Sequence, residues 1–220
     1  VEPLAEELGL EKKRYQIVLR GGDDLMLVMP AATETTDCLK LTAELLRRAE
    51  ARLDESPLQG LGAGAGLVVS TTVPADFAFE LARKLCERAK GRLADDEAHL
   101  ANALEARSAV DFAVVAGGAA YTDAGMLTDE RSVALGTERS EEKVQLSRRP
   151  YELARFEALI QLAETLEGDR EIGRSGLVAL RDALEQHPEA AGLNWAYQLA
   201  RKRKLRDALR VALDAPVRGM

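Results

Sequence analysis

Two short apolar runs stand near the start of the chain, YQIVL at 15–19 and LMLVM at 25–29, with Gly21-Gly22-Asp23-Asp24 between them. Short β-prone runs on either side of a Gly/Asp cluster read as a hairpin, with the carboxylates at or just after its tip. From about 37 to 53 the period becomes helical: Cys38, Leu41, Leu45, Leu46, Ala49 and Leu53 recur at helical spacing and define one buried face. Thr36 or Asp37 supplies an N-cap. A loop over 56–60 leads into LGAGAGLVVS at 61–70, where glycines give way to β-branched residues and a strand is expected. Pro74 and Asp76 introduce a second helix, with Ala78, Ala82, Leu85 and Ala89 along one side. A short acidic helix is expected over 95–106, then a buried strand in AVDFAVVA at 109–116. Residues 117–140 are polar and weakly periodic, a long loop with one strand near 132–135. From Pro150 onward the pattern predicts helices at 151–167, 176–186 and 193–213. No repeat of fixed period interrupts this order.

The order β, β, α, β, α, β predicts an α+β fold: an antiparallel or mixed sheet with helices on one face, not a strictly alternating Rossmann arrangement. It divides the chain into a sheet-bearing domain over 1–118 and a loop and helical C-terminal part over 119–220.

Composition narrows the partners. The formal charge is −7, from 30 basic and 37 acidic residues, so the chain lacks the basic footprint of a duplex-binding protein; only a local patch could serve nucleic acid. Aromatics make up 4%, so the core must be built from Leu, Val and Ala. No apolar run approaches the roughly 20 residues of a bilayer span, and the acidic opening VEPLAEELGL lacks the charge pattern of a signal peptide. Cys38 and Cys86 are far apart and both fall in helical patterns, where they read as buried apolar thiols; a reducing cytoplasm is the expected location.

Adjacent carboxylates at a turn repel, and one is pushed toward protonation unless a cation neutralises them. Hard cations such as Mg²⁺ or Mn²⁺ meet that need, since one or two protein carboxylates plus substrate phosphate hold them. Two such ions about 3.5–4 Å apart serve phosphoryl or nucleotidyl transfer. Gly21 and Gly22 have no side chains to block a triphosphate. The plain alternative is a surface turn, since Gly and Asp are its default residues.

RYQIVLRGGDDLMLVMPA resembles the second palm domain of the large polymerase-cyclase subunit of type III CRISPR effector complexes, a domain related to the GGDEF diguanylate cyclases. AGAGLVVS, Pro74 and the helix end ERAKGRL follow in that family's order. SAVDFAVV at 108–115 and SRRPYEL at 147–153 look like landmarks of stand-alone bacterial proteins that share the palm. The resemblance covers roughly residue 15 to the final helices; GGDD and the Ala89-Lys90 helix end are its most specific parts. It implies a palm (ferredoxin-like, GGDEF-cyclase-like) fold and the synthesis of cyclic or oligonucleotide signals from ATP or GTP. It further implies Asp23 and Asp24 as catalytic metal ligands, Gly21 and Gly22 beside the nucleotide, and Lys90 on phosphate. The plain reading of Lys90 is a solvated lysine. The family's palm opens with a strand bearing another metal-binding aspartate, whereas no Asp precedes Asp23 here. The expectation is that the opening β-α unit is missing and that this piece alone lacks a ligand. The alternative to an enzyme is therefore an inactive palm module that binds nucleotide or acts as a scaffold in a CRISPR-type or other defence complex. A protein partner or homodimer is compatible with either.

Other residues give weaker signals. Gly60, Gly62, Gly64 and Gly66 precede a strand instead of opening a helix, so they read as close packing beside the hairpin, not a dinucleotide fingerprint. His99 and His187 have no Cys or His at ligand spacing. Ser175 reads as a helix cap. Arg201, Lys202, Arg203, Lys204 and Arg206 read as a solvated helix face, with nucleic-acid contact as the alternative. Arg148-Arg149-Pro150-Tyr151 suits either a phosphate contact or a loop-to-helix boundary, and Trp195 and Tyr197 an anchor for the C-terminal helices.

Overall fold

The computed structural model describes residues 16–21, 24–29, 35–55, 57, 62–70, 73–97, 108–115, 132–135, 142–145 and 149–168. It adds Val178, Leu193, Ala196, Tyr197, Ala200, Arg206, Asp207 and Arg210, all helical. Gly22, Asp23, Gly60, His99, Ser175, His187, Trp195 and residues 201–204 lie outside the described residues.

The expected hairpin is present. Strand β1 (Gln16–Gly21) pairs antiparallel with β2 (Asp24–Val28), and Gly21 sits opposite Asp24. The register slips between Ile17 and Leu19. Val18, Leu19, Leu25 and Val28 remain exposed.

Helix α1 (Thr35–Asp54) follows. Its buried residues are Leu39, Thr42, Ala43 and Leu46, so the stripe is rotated from the expected one: Cys38, Leu41, Leu45, Ala49 and Leu53 are only half-buried. A threonine is tolerated in that stripe because its hydroxyl donates to the Cys38 carbonyl at 2.9 Å.

Strand β3 (Gly64–Ser70), helix α2 (Ala75–Glu97) and strand β4 (Ala109–Val115) form a βαβ unit, with β3 and β4 parallel and Gly64 opposite Ala109. The expected acidic helix is in part the end of α2, which runs through to Glu97; residues 98–107 lie outside the described set. Strands β5 (Ser132–Leu135) and β6 (Glu142–Gln145) pair antiparallel; the first was expected, the second was not. Strand β7 (Tyr151–Glu152) pairs antiparallel with the start of β4 and passes directly into helix α3 (Leu153–Gly168), so the helix expected from 151 begins at 153. The β4 ladder claims the first two residues.

Among the described residues the β3-β4-β7 sheet has β4 at its centre, and the β1-β2 hairpin is not hydrogen-bonded to it. The helices do not share one face. Leu81 and Leu85 of α2 pack against Ala113, Val115 and Val68 on one side. On the other, Leu39, Ala43 and Leu46 of α1 meet Leu153, Phe156 and Ile160 of α3 around Val110, Ala65, Leu67 and Phe112. The expectation of a one-sided layer fails because β3 and β4 are apolar at successive positions, the composition of strands covered on both faces. Tyr151 and Phe156 flank the Phe112 ring at centroid distances of 6.4 and 5.6 Å.

The second core belongs partly to residues beyond 118. Phe156 is fully buried, and the Leu153 amide donates to the Ser108 carbonyl at 3.1 Å. Arg47 of α1 binds Glu44 at 2.6 Å and reaches Glu157 of α3, tying the two helices at their surface.

Candidate functional site

The hairpin tip meets the C-terminal half of α2. Lys90 Nζ lies 2.9 Å from Asp24 Oδ1, with hydrogen-bonding geometry, and the side chains are 48% and 58% exposed. Two residues singled out from the sequence, 66 positions apart, are thus in direct contact.

The floor under this contact is β3. A Cβ on Gly66 would come within 2.1 Å of the Ala82 carbonyl oxygen and 2.5 Å of the Cys86 amide nitrogen. One on Gly64 would lie 2.7 Å from Lys90 Cγ and 2.9 Å from Lys90 N. Glycines 64 and 66 therefore serve close packing, as the sequence suggested, but their partner is α2 and not the hairpin. Their missing side chains let the helix backbone rest on the strand, and the Lys90 stem crosses the space where a Gly64 side chain would stand. Gly21 differs: a Cβ there would meet nothing within 4 Å, so packing does not require the glycine.

Cys86 sits between these groups. Its thiol donates to the Gly64 carbonyl at 3.3 Å. Burial pushes the thiol pKa up, the Lys90 ammonium pulls it down and the Asp24 carboxylate pushes it up again. The net effect favours the protonated thiol.

Sequence reasoning passed over Asp111, a carboxylate in the middle of an otherwise apolar strand. It is fully buried. Its Oδ1 accepts from the Phe112 amide at 2.9 Å, and Arg88 Nε of α2 lies 3.5 Å from Oδ2. One turn on, Arg92 donates to Glu152 of β7 at 3.0 Å. The signal was available: an isolated Asp in AVDFAVV must find a partner, and Arg88 and Arg92 recur at helical spacing. Arg149, read as a phosphate contact or a boundary residue, lies over the Phe112 ring at 3.9 Å and donates to the Phe112 carbonyl.

The donors fit a hard divalent cation in kind. Asp24 presents exposed carboxylate oxygens at the tip, and Asp23 precedes it in sequence. One or two carboxylates, completed by water and phosphate oxygens, are what Mg²⁺ takes from a protein. Among the described residues no group of three or more His, Cys, Asp or Glu converges on a common point. No helix among them is long and apolar enough to cross a membrane. A scan against protein-family models gives no match to this chain, and neither a search of curated proteins nor one of solved structures finds a significant relative.

Proposed function

We propose that the hairpin tip and the end of α2 form a nucleoside-triphosphate site of the metal-dependent nucleotidyltransferase or cyclase class, within a palm-type domain. The observation that carries this reading is the 2.9 Å contact between Lys90 and Asp24, which gathers a cation and a carboxylate beside a glycine whose flank is open. Asp23 and Asp24 would hold Mg²⁺ or Mn²⁺, which supplies Lewis-acid activation of the attacking oxygen and charge neutralisation on the phosphates. Lys90 carries three rotatable donors on a compact ammonium suited to a β- or γ-phosphate. Gly21 leaves its backbone open to a phosphate. In the reaction class a ribose 3′-oxygen bonds to the α-phosphorus, the bond to the pyrophosphate oxygen breaks, and the hydroxyl proton passes to solvent.

The test is calorimetric titration of ATP and GTP into the chain with Mg²⁺ or Mn²⁺, beside an Asp23→Ala, Asp24→Ala double variant. Metal-dependent binding that disappears in the variant supports the reading. A folded wild-type chain that binds neither nucleotide overturns it.

A second reading, an inactive palm that binds nucleotide or scaffolds a protein partner or a homodimer, is favoured by one observation. Val18, Leu19, Leu25 and Val28 of the hairpin are each exposed. Mass spectrometry separates the two: nucleotide binding with no new phosphodiester product selects the module over the enzyme.

A further inference from the structure

Side chains close the edge of β4 that faces away from β3. The Ala109 amide donates to the Ala63 carbonyl at 3.1 Å, so the odd-numbered residues of this stretch turn their main-chain groups toward β3. The even-numbered residues turn theirs the other way, toward β7. The Ser108 carbonyl accepts from the Leu153 amide at 3.1 Å, and Val110 stands opposite Tyr151. Bonded pairs recur at every second residue of an antiparallel ladder, which makes Phe112 opposite Arg149 the next rung. Strand β7 begins only at Tyr151, after Pro150, and its pairing with β4 stops at Val110.

Both main-chain groups of Phe112 are nonetheless occupied. Its amide donates to Asp111 Oδ1 at 2.9 Å, and its carbonyl accepts from Arg149 Nη1. The Arg149 guanidinium lies 3.9 Å from the centroid of the Phe112 ring, and this stacking holds it at the edge. Arg88 Nε stands 3.5 Å from Asp111 Oδ2 and anchors the carboxylate from the α2 side. The acceptor and the donor that a further strand would bring to this rung are thus supplied by two side chains of the protein itself.

The sequence shows what the closure is for. From Phe112 to Val115 the strand reads FAVV, with no charge and no proline, and Val114 is 53% exposed. An apolar, uncharged edge rich in β-formers is a template for pairing with another chain. Identical edges can meet about a two-fold axis, so the most available partner is the same strand of another molecule.

We propose that Asp111 and Arg149 form an edge cap on β4, which closes the strand against addition of the same strand from a second copy of the chain. Arg149 acts twice. Its donor fills the Phe112 carbonyl, and its charge would face its own symmetry mate across such a pairing. A strand that adds here has to break a charge-assisted hydrogen bond and bring like charges together. The cap is independent of the nucleotide reading, since it lies on the side of β4 away from β3.

Sedimentation velocity on the full chain compares wild type, Arg149→Met and Arg149→Lys, with Arg47→Met as the control for loss of an arginine elsewhere on the surface. A nitroxide at Val114→Cys, in a Cys38→Ser, Cys86→Ser background, reports whether copies meet at this edge. Arg149→Met keeps an apolar stem over Phe112 and drops the charge and the donors. It is expected to self-associate about tenfold more tightly than wild type, the scale of one hydrogen bond to a charged group, with spin–spin broadening of the label. Arg149→Lys, which keeps the charge, and Arg47→Met are expected to sediment as wild type. A folded Arg149→Met that sediments as wild type overturns the proposal, as does self-association without broadening at position 114 or equal association of Arg47→Met. Amide hydrogen exchange on the wild type gives the reading if Arg149→Met fails to fold. Phe112 is expected to exchange at least about tenfold more slowly than a free amide, and exchange at the free-amide rate overturns the cap.

Discussion

Replacing Gly66 with alanine probes the seating of α2 on β3. The new Cβ would lie 2.1 Å from the Ala82 carbonyl oxygen and 2.5 Å from the Cys86 amide nitrogen. Carbon and carbonyl oxygen settle no closer than about 3.3 Å even in favourable contacts, so the helix must retreat by about 1 Å. Both obstructing atoms are backbone, and no side-chain rotation relieves the clash. Overpacking of this kind costs about 1–3 kcal/mol and occasionally more. The retreat also loosens Leu81 and Leu85, both fully buried against the sheet. Alanine recovers about 0.4–1 kcal/mol by restricting the unfolded chain. The net expectation is a loss of about 1–2 kcal/mol, or about 2–8 °C in melting temperature for a chain of this size. Urea denaturation followed by far-UV circular dichroism measures it, read at an unchanged m-value. Gly91→Ala on the same helix is the control. A Cβ there meets nothing within 4 Å, and removing a helix-interior glycine should stabilise by about 0.5–1 kcal/mol. If Gly66→Ala matches or exceeds wild type while Gly91→Ala behaves as stated, the backbone-on-backbone seating is refuted.

Three further outcomes follow from charges and thiols. Arg88→Ala removes the guanidinium beside the fully buried Asp111 and should destabilise by about 2–3 kcal/mol; a denaturation midpoint equal to wild type would show that the pair contributes nothing. In a Cys38→Ser background, Cys86 should react with a thiol reagent at pH 8 more slowly than a free thiol, because burial pushes its pKa up. The stability held by that protonated thiol is present below the free-thiol pKa and is lost as pH rises through the raised one; free-thiol reactivity at pH 8 would contradict both statements. The Arg48 hydrogen bond, with Arg47 close by, holds the Glu44 carboxyl below its ordinary range. Its contribution is present above the unfolded value and lost as pH falls through the lowered one, so an NMR titration should place Glu44 below a free glutamate and Arg48→Ala should raise it.

The local elements were legible because each rests on short-range chemistry. Gly21 opposite Asp24 is what a Gly/Asp cluster between two β-prone runs dictates, and β3, β4 and β5 follow from apolar runs bounded by turn residues. What failed depends on which element lies across the sheet. The alternation that would mark a one-faced sheet is absent from GAGLVVS and AVDFAVV, and that absence was the clue to helices on both faces. The α1 stripe was misplaced because leucines at 41 and 45 drew the face away from Thr42 and Ala43, small residues buried where α3 comes close. At the candidate site, Asp24 and Lys90 were each named from the sequence, but their contact was not. It needs the track over Gly64, a three-dimensional feature no spacing rule contains. Asp111 was missed because the strand was read for its apolar residues and not for the one that breaks the run.

The way β7 and α3 complete the core bears on where the chain can be divided. Phe156, Leu153 and Ile160 form one wall of the cluster whose other walls are α1 and β4, and Arg92 and Ser108 each hold the β7–α3 junction by a hydrogen bond. A cut at the polar stretch after β4 would look harmless on a hydropathy plot. It would leave the first fragment with an open apolar face under Val110 and Phe112. The two halves would then behave as complementary fragments: each poorly folded alone, recovering a common core when mixed. A minimal expression unit for the hairpin site therefore has to run through residue 168.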